Sequence, residues 1–274
     1  MTDLKSANIG VFAPDSDMLL AVSRSFSRGP RTWVLALLVA TAPFVEGCAV
    51  SDADIHRWEI TEHGPDKLFA VLTHGKYEWP LRFEAAFSLV RMKPRAGQRL
   101  GLETLVRALE SLALDDRKRV VDALAPKLIE KMVETAAASR VADAGPGADP
   151  TFPFKDAAFG IVSHDPPFAE DQTRTDLLAA LTRWVQVDFE QRIDNASQQY
   201  GVEQIIRFLR QQELAQGPET PSLAVKSLPT LIREESPKID RVCAIVADLG
   251  DDETKRRASD ALVVLARRID APEW

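Results

Sequence analysis

The chain has 274 residues, 45% hydrophobic and 27% charged, with a formal net charge of −7. That length supplies one large domain or two small ones, with ample material for a buried core. An acidic chain without a long Lys/Arg run argues against nonspecific nucleic-acid binding, where phosphate neutralisation supplies most of the affinity.

The strongest local signal runs from Met18 to Ala49. Arg24, Arg28 and Arg31 form a positive region, followed by an uncharged apolar run of 13 residues from Trp33 to Val45. A bilayer core of roughly 30 Å needs about 20 helical residues to cross it, so this run is too short. It has the length of the apolar core of a signal peptide. It ends in Val45-Glu46-Gly47-Cys48, which resembles the lipobox of bacterial lipoproteins: an aliphatic three before the cysteine and a small residue just before it.

That resemblance implies lipid transfer to the Cys48 thiol and cleavage between Gly47 and Cys48, making residues 1–47 a signal peptide. Glu46 departs from the small residue usual at its position, and the segment is long for such a signal. Initiation at Met18 shortens it to about 30 residues. Lys5, Arg24, Arg28 and Arg31 balance Asp3, Asp15, Asp17 and Glu46, so cleavage leaves the net charge unchanged. Acyl chains on Cys48, at roughly 0.8 kcal/mol per buried CH₂, hold a protein on a membrane indefinitely. Ala49, in place of Asp, implies the outer membrane with the body facing the periplasm. Two other readings stay open: a buried helix with Cys48 an ordinary core thiol, or an uncleaved anchor.

From Ser51 onward the pattern is helical, with apolar residues at i, i+3, i+4 and i+7. Leu102, Leu105, Val106 and Leu109 fit it, as do Val202, Ile205, Ile206 and Leu209. Ile239, Val242, Cys243 and Val246 make a third set, and Ala258, Ala261, Leu262 and Leu265 a fourth. No strict alternation long enough for a strand is present. Pro80 stands at an expected first turn, where its missing N–H costs nothing. Asp115-Asp116 and Asp251-Asp252 suit helix N-termini.

The segments also resemble one another. Leu114-Asp-Asp-Arg-Lys-Arg-Val-Val-Asp-Ala-Leu124 parallels Gly250-Asp-Asp-Glu-Thr-Lys-Arg-Arg-Ala-Ser-Asp-Ala-Leu262. With Ala85…Leu89 and Ala224…Leu228, the matching leucines are 89, 124, 228 and 262, spaced by 35, 104 and 34 residues. Self-similarity at such a period marks a solenoid, where each helix pair buries its face against its neighbours. The stretches 81–90 and 255–265 resemble the second helix of HEAT repeats. Asp251 with Arg256 or Arg257, and Asp115 with Arg119, sit where that family often has an Asp in the turn and a basic residue early in the second helix. The resemblance covers about 66–136 and 200–270, and implies an all-α, HEAT-like α-solenoid of stacked antiparallel helix pairs.

The expected organisation is therefore a signal peptide over 1–47, a lipid-attached tether and short helix over 48–64, and helix pairs over 65–136. A loop-rich insertion follows over 137–170, then helix pairs over 171–274. The insertion holds Ala144-Gly-Pro-Gly-Ala-Asp-Pro150 and Asp165-Pro-Pro167 and shows no sustained periodicity. Long loops in compact domains are functional or disordered. This one is either a lineage-specific insertion or a partner-binding element, with Phe152, Phe154, Phe159 and Phe168 packing part of it down. A long helix is expected over Thr173–Asn195, with Leu178, Leu181, Trp184 and Val185 inward.

Catalytic signatures are sparse. No Gly-x-Ser-x-Gly elbow, phosphate-binding Gly loop or dinucleotide fingerprint occurs. Ser163-His164-Asp165 has the letters of a triad, but adjacent residues do not make one. The His-Glu pairs of the iron-binding HEAT hydroxylases are absent. Four histidines and two cysteines without paired spacing speak against a metal. Cys243 reads as a core thiol. Arg117-Lys118-Arg119 and Lys255-Arg256-Arg257 read as solvated charge pairs, with a phosphate-binding ridge as the other option. Trp58, Trp79 and Trp184 are expected between helices and Trp274 exposed.

The expectation is a non-enzymatic, membrane-anchored lipoprotein without cofactor or metal, binding an unidentified protein partner and no nucleic acid. Lipidation falls on Cys48 and cleavage between Gly47 and Cys48. The rivals are a cytoplasmic HEAT-like adaptor and, from another class, a lyase or glycosylase of HEAT architecture. A deep cleft with a buried carboxylate and aromatic walls is the mark of the last.

Overall fold

The computed structural model describes residues 50–95, 97–133, 149–187, 189–193, 198–216, 223–233, 236 and 238–270. The chain divides into two units, Met1–Gly47 and Cys48–Trp274, and every described residue lies in the second. Gly47, Cys48 and the apolar run over 33–45 lie outside the described residues.

Helix α1 (Asp52–Trp58) opens on a complete capping box. The Ser51 hydroxyl accepts from the Asp54 amide at 3.4 Å, and the Asp54 carboxylate accepts from the Ser51 amide at 3.1 Å. Two otherwise orphaned amides are thereby satisfied. Ile55 is fully buried, so α1 is packed into the body. Helix α1 lies within the 48–64 stretch, where a tether and short helix were expected, and it packs on α2 and α3.

Helices α2 (Gly64–Thr73) and α3 (Trp79–Arg91) each start with a proline in the first turn, where no N–H is required. A tight turn, closed by reciprocal Arg95 and Gln98 backbone bonds of 2.9 Å, leads into α4 (Leu100–Ser111). Gly97 turns it with φ +80°, a region that favours glycine. Gly101 lets α4 lie against the end of α3: a Cβ there would stand 2.2 Å from the Leu89 carbonyl oxygen.

The 20-residue α5 (Leu114–Val133) follows, with Asp115 and Asp116 in its first turn as the sequence suggested. Beyond it come α6 (Phe152–Ser163), α7 (Asp171–Gln186), α8 (Phe189–Arg192) and α9 (Val202–Gln216). Helix α10 (Leu223–Ser227) runs into a 3₁₀ turn, η1 (Leu228–Leu231), and α11 (Ile239–Leu249) and α12 (Asp252–Ile269) complete the described chain. The described residues are all-helical, with no β-strand among them.

Two expectations are corrected here. Residues 152–163, placed in a loop-rich insertion, form α6, buried on every side from Phe152 to Val162 save Pro153 and Phe154. A helix without a solvent face has no polar stripe, so the period that reveals surface helices is missing. The stretch 137–148 lies outside the described residues. The single long helix expected over 173–195 ends at Gln186, where Val187 turns extended (φ −98°, ψ 133°), and α8 is a separate short turn of helix.

Packing is local along the chain. Helix α1 packs on α2 and α3, α2 on α3 and α4, α3 on α4, α5 and α6, and α4 on α6. Further on, α5 packs on α6 and α7, α6 on α7, α7 on α9 and α10, and α9 on α10 and α11. Helix α12 meets η1 and α11. One apolar core runs through these layers, from Ile55 through Leu105, Leu124, Phe152 and Leu181 to Ile206 and Val242.

Candidate functional site

The densest chemistry lies inside the fold, where α6 carries Lys155 and Asp156 at zero exposure. An isolated buried charge costs several kcal/mol, so such groups persist only when paired and hydrogen-bonded. Both are. The Lys155 ammonium donates to the Asp156 carboxylate, to Gln198 Oε1 at 3.1 Å and to the Tyr200 carbonyl at 2.5 Å. Its Nζ lies 5.4 Å from the centroid of the Phe152 ring and 5.1 Å from that of Trp184.

Asp156 also accepts from the amides of Gln199 (2.8 Å) and Tyr200 (3.2 Å). It stands 3.0 Å from Nε of Arg99, a residue only 6% exposed at the start of α4. Burial pushes the Lys155 ammonium down from 10.5 to about 8, against the pull of Asp156 in the opposite direction. Burial likewise lowers Arg99, opposed by Asp156, and raises the Tyr200 phenol.

A second buried cation extends the network. Arg192, on α8, donates to Asp149 Oδ2 at 2.6 Å and to the carbonyls of Trp184 and Val187 at 2.7 Å each. Those two carbonyls sit at the C-terminus of α7, where cations are favoured. The Thr151 hydroxyl donates to Asp149 (2.5 Å) and accepts from the Trp184 indole (2.9 Å). Gln198 ties the two halves, donating to the Arg192 carbonyl at 3.0 Å. The network thus clamps α4, α6, α7, α8 and the 198–200 segment together. A carboxylate and aromatic rings are present, as the rival lyase or glycosylase reading required. They are sealed from solvent, however, and each polar end is engaged by the protein itself, which is the arrangement of a structural clamp.

Sequence reasoning missed this cluster because it set 137–170 aside as loop. The available signal was a Lys-Asp pair inside Phe152-Pro-Phe-Lys-Asp-Ala-Ala-Phe-Gly-Ile-Val162, an otherwise apolar run.

The residues singled out from sequence are scattered. His164 Nδ1 lies 2.8 Å from the Pro166 carbonyl and Nε2 3.1 Å from Glu110, with the ring stacked on Phe168 at 3.8 Å. Neither nitrogen is turned to Ser163 or Asp165, so the triad letters form no relay. Arg117 lies over Phe168, Lys118 is 3.9 Å from Glu170, and Arg119 covers the Trp79 ring at 4.1 Å. In the other triplet Arg257 pairs with Glu253 at 3.0 Å. Cys243 is half-buried on α11, its thiol pushed up by burial and by Asp240. Trp184 is buried, Trp58 and Trp79 half-buried, and Trp274 lies outside the described residues.

Among the described residues no group of three or more His, Cys, Asp or Glu is placed to hold a metal ion. None of the described helices is long and apolar enough to cross a membrane. Two open surface clefts stand out. One, of about 370 Å³, is charged and lined by Glu62, Asp66, Glu103 and Arg107. The other, of about 590 Å³, adjoins the first described residue and is lined by Val50, Ser51, Asp52, Tyr77, Pro80 and Leu81 among others. No family model matches the chain, and no curated protein or solved structure shows significant similarity to it.

Proposed function

We propose that this protein is a membrane-anchored lipoprotein whose HEAT-like α-solenoid body serves as a non-enzymatic scaffold for a protein partner. Acyl chains on Cys48, after cleavage behind Gly47, hold it on the periplasmic face of the outer membrane. The observation that carries this reading is the position of the first helix. The capping box at Ser51 opens the first described helix three residues after Cys48, and the unit boundary falls at Gly47/Cys48. The cap of that helix is made by Ser51 and Asp54 themselves.

The solenoid part is supported by the packing order, in which the principal contacts join elements one to three places apart along the described chain. Such nearest-neighbour stacking is how repeat proteins build extended surfaces for partners. The non-enzymatic part is supported by the sealed state of Lys155 and Asp156.

Intact-mass analysis of the natively expressed protein tests the reading. The expected product begins at Cys48 and carries added acyl mass, and it sediments with membranes. A full-length unmodified chain in the soluble fraction overturns the anchor and restores the cytoplasmic adaptor.

A further inference from the structure

The short link between Cys48 and the fold decides which edge of the body meets lipid. Ser51 already caps α1, and an extended chain covers at most about 3.6 Å per residue, so three residues reach about 11 Å. With acyl chains on Cys48 entering the bilayer, the surface around Val50 and Ser51 is held within about that distance of the headgroups. That surface is the 590 Å³ cleft, whose other wall is the connection between α2 and α3.

Its chemistry suits a lipid–water interface. Tyr77, Pro80, Leu81 and Val50 give the cleft more apolar than polar surface, and the amphipathic rings of tyrosine concentrate at headgroup level. Lys76 lies over the Tyr77 ring, with its ammonium 4.8 Å from the centroid. The exposed charges of the lining are of mixed sign, Lys76 against Asp52 and Glu78. Mixed signs match a zwitterionic headgroup, which offers a phosphate and an ammonium together, better than a uniformly anionic sheet, to which juxtamembrane segments bind through clustered Lys/Arg.

We propose that the edge formed by residues 50–52 and 76–81 is the membrane-apposed surface of the protein, seated on zwitterionic phospholipid. This rests on the acylation of Cys48 proposed above. It fixes which helices face lipid: α1 to α3 lie at the bilayer, and α11 and α12 share no principal contact with them.

The test uses the full-length chain, exported and processed in a host with lipoprotein machinery and purified from membranes. Its mass is measured before reconstitution into phosphatidylcholine–phosphatidylethanolamine vesicles. In a Cys243→Ala background a nitroxide is attached to His74→Cys, beside the cleft, or to Lys255→Cys on α12; both positions are exposed. Circular dichroism confirms that each variant keeps its helices. An acylated chain should show a several-fold higher ratio of oxygen to water-soluble nickel accessibility at position 74 than at 255. An acylated chain with equal or reversed ratios overturns the apposition and leaves the anchor standing. A contrast that appears only with phosphatidylglycerol in the vesicles overturns the zwitterionic assignment. An unacylated full-length chain overturns anchor and apposition together.

Discussion

Helices α6 and α12 have opposite fates. Helix α12 has a clear amphipathic stripe (Ala258, Ala261, Leu262, Leu265, Ile269), yet only Thr254 and Ala258 are buried, and Ile269 is 57% exposed. Helix α6 has no such stripe and two adjacent charges, yet it lies at the centre of the core. An amphipathic pattern states that a helix has a face to bury. It does not state that something is there to cover it. The principal contacts of α12 are with η1 and α11, and among the described residues its second half is left largely exposed. Helix α6 touches α3, α4, α5 and α7, which leaves no solvent side for polar residues and puts its charges where only exact pairing can hold them.

The contrast can be tested, beginning with the largest effect. Replacing Asp156→Asn strips the carboxylate from between Lys155 and Arg99 and should destabilise the fold by about 3–5 kcal/mol, the usual cost of orphaning a buried charge. Urea unfolding followed by circular dichroism measures it. A loss under 1 kcal/mol would mean the clamp is no clamp.

Next is a pH effect with a defined sign. The unfolded chain holds the Lys155 proton up to about 10.5, whereas the folded chain releases it near 8. Between those values the unfolded state binds more protons, so stability should rise with pH, by up to about 3 kcal/mol across the window. The gain is fully present above 10.5 and lost as pH falls through 8. Wild type and Lys155→Met, compared by urea midpoints from pH 7.5 to 10, should diverge in slope; parallel slopes would show that Lys155 is not the group responsible.

Helix contact gives the third. Gly101→Ala should cost about 1–3 kcal/mol through overpacking against the Leu89 carbonyl, read as a lowered melting temperature. A neutral result would show that α3 and α4 can separate freely. In α12 the effects shrink. Asp251 accepts from the Thr254 amide at 2.7 Å, so Asp251→Ala should cost about 1 kcal/mol, visible as faster amide exchange in the first turn of α12. Ile269→Ala should change stability by less than about 0.5 kcal/mol, as exposed substitutions do. A cost of 2 kcal/mol or more in the isolated protein would reveal a cover over the stripe that the described residues lack.

Legibility followed locality. The cap at Asp251, the proline opening α3 and the acidic first turn of α5 depend on a few neighbouring residues, and each occupies its expected kind of position. The turn of the chain at Val187 was not legible, because Trp184, Val185 and Phe189 continue an acceptable helical pattern. The break is held by Arg192 reaching back to the carbonyls of Trp184 and Val187, a contact visible only once the chain has folded. The buried clamp was hidden for the same reason. Its members, Arg99, Asp149, Asp156 and Arg192, are drawn from three separate stretches.

The amino-acid order alone determined that the described chain after Ser51 is helical and where several of its helices begin, since capping and backbone preferences act within about one turn. It also carried the apolar run ending at Cys48, from which the anchor is proposed. Tertiary structure decided which helix is the core and which is the overhang, and which charges are buried. Burial belongs to whatever lies opposite a side chain, and that partner sits tens of residues away.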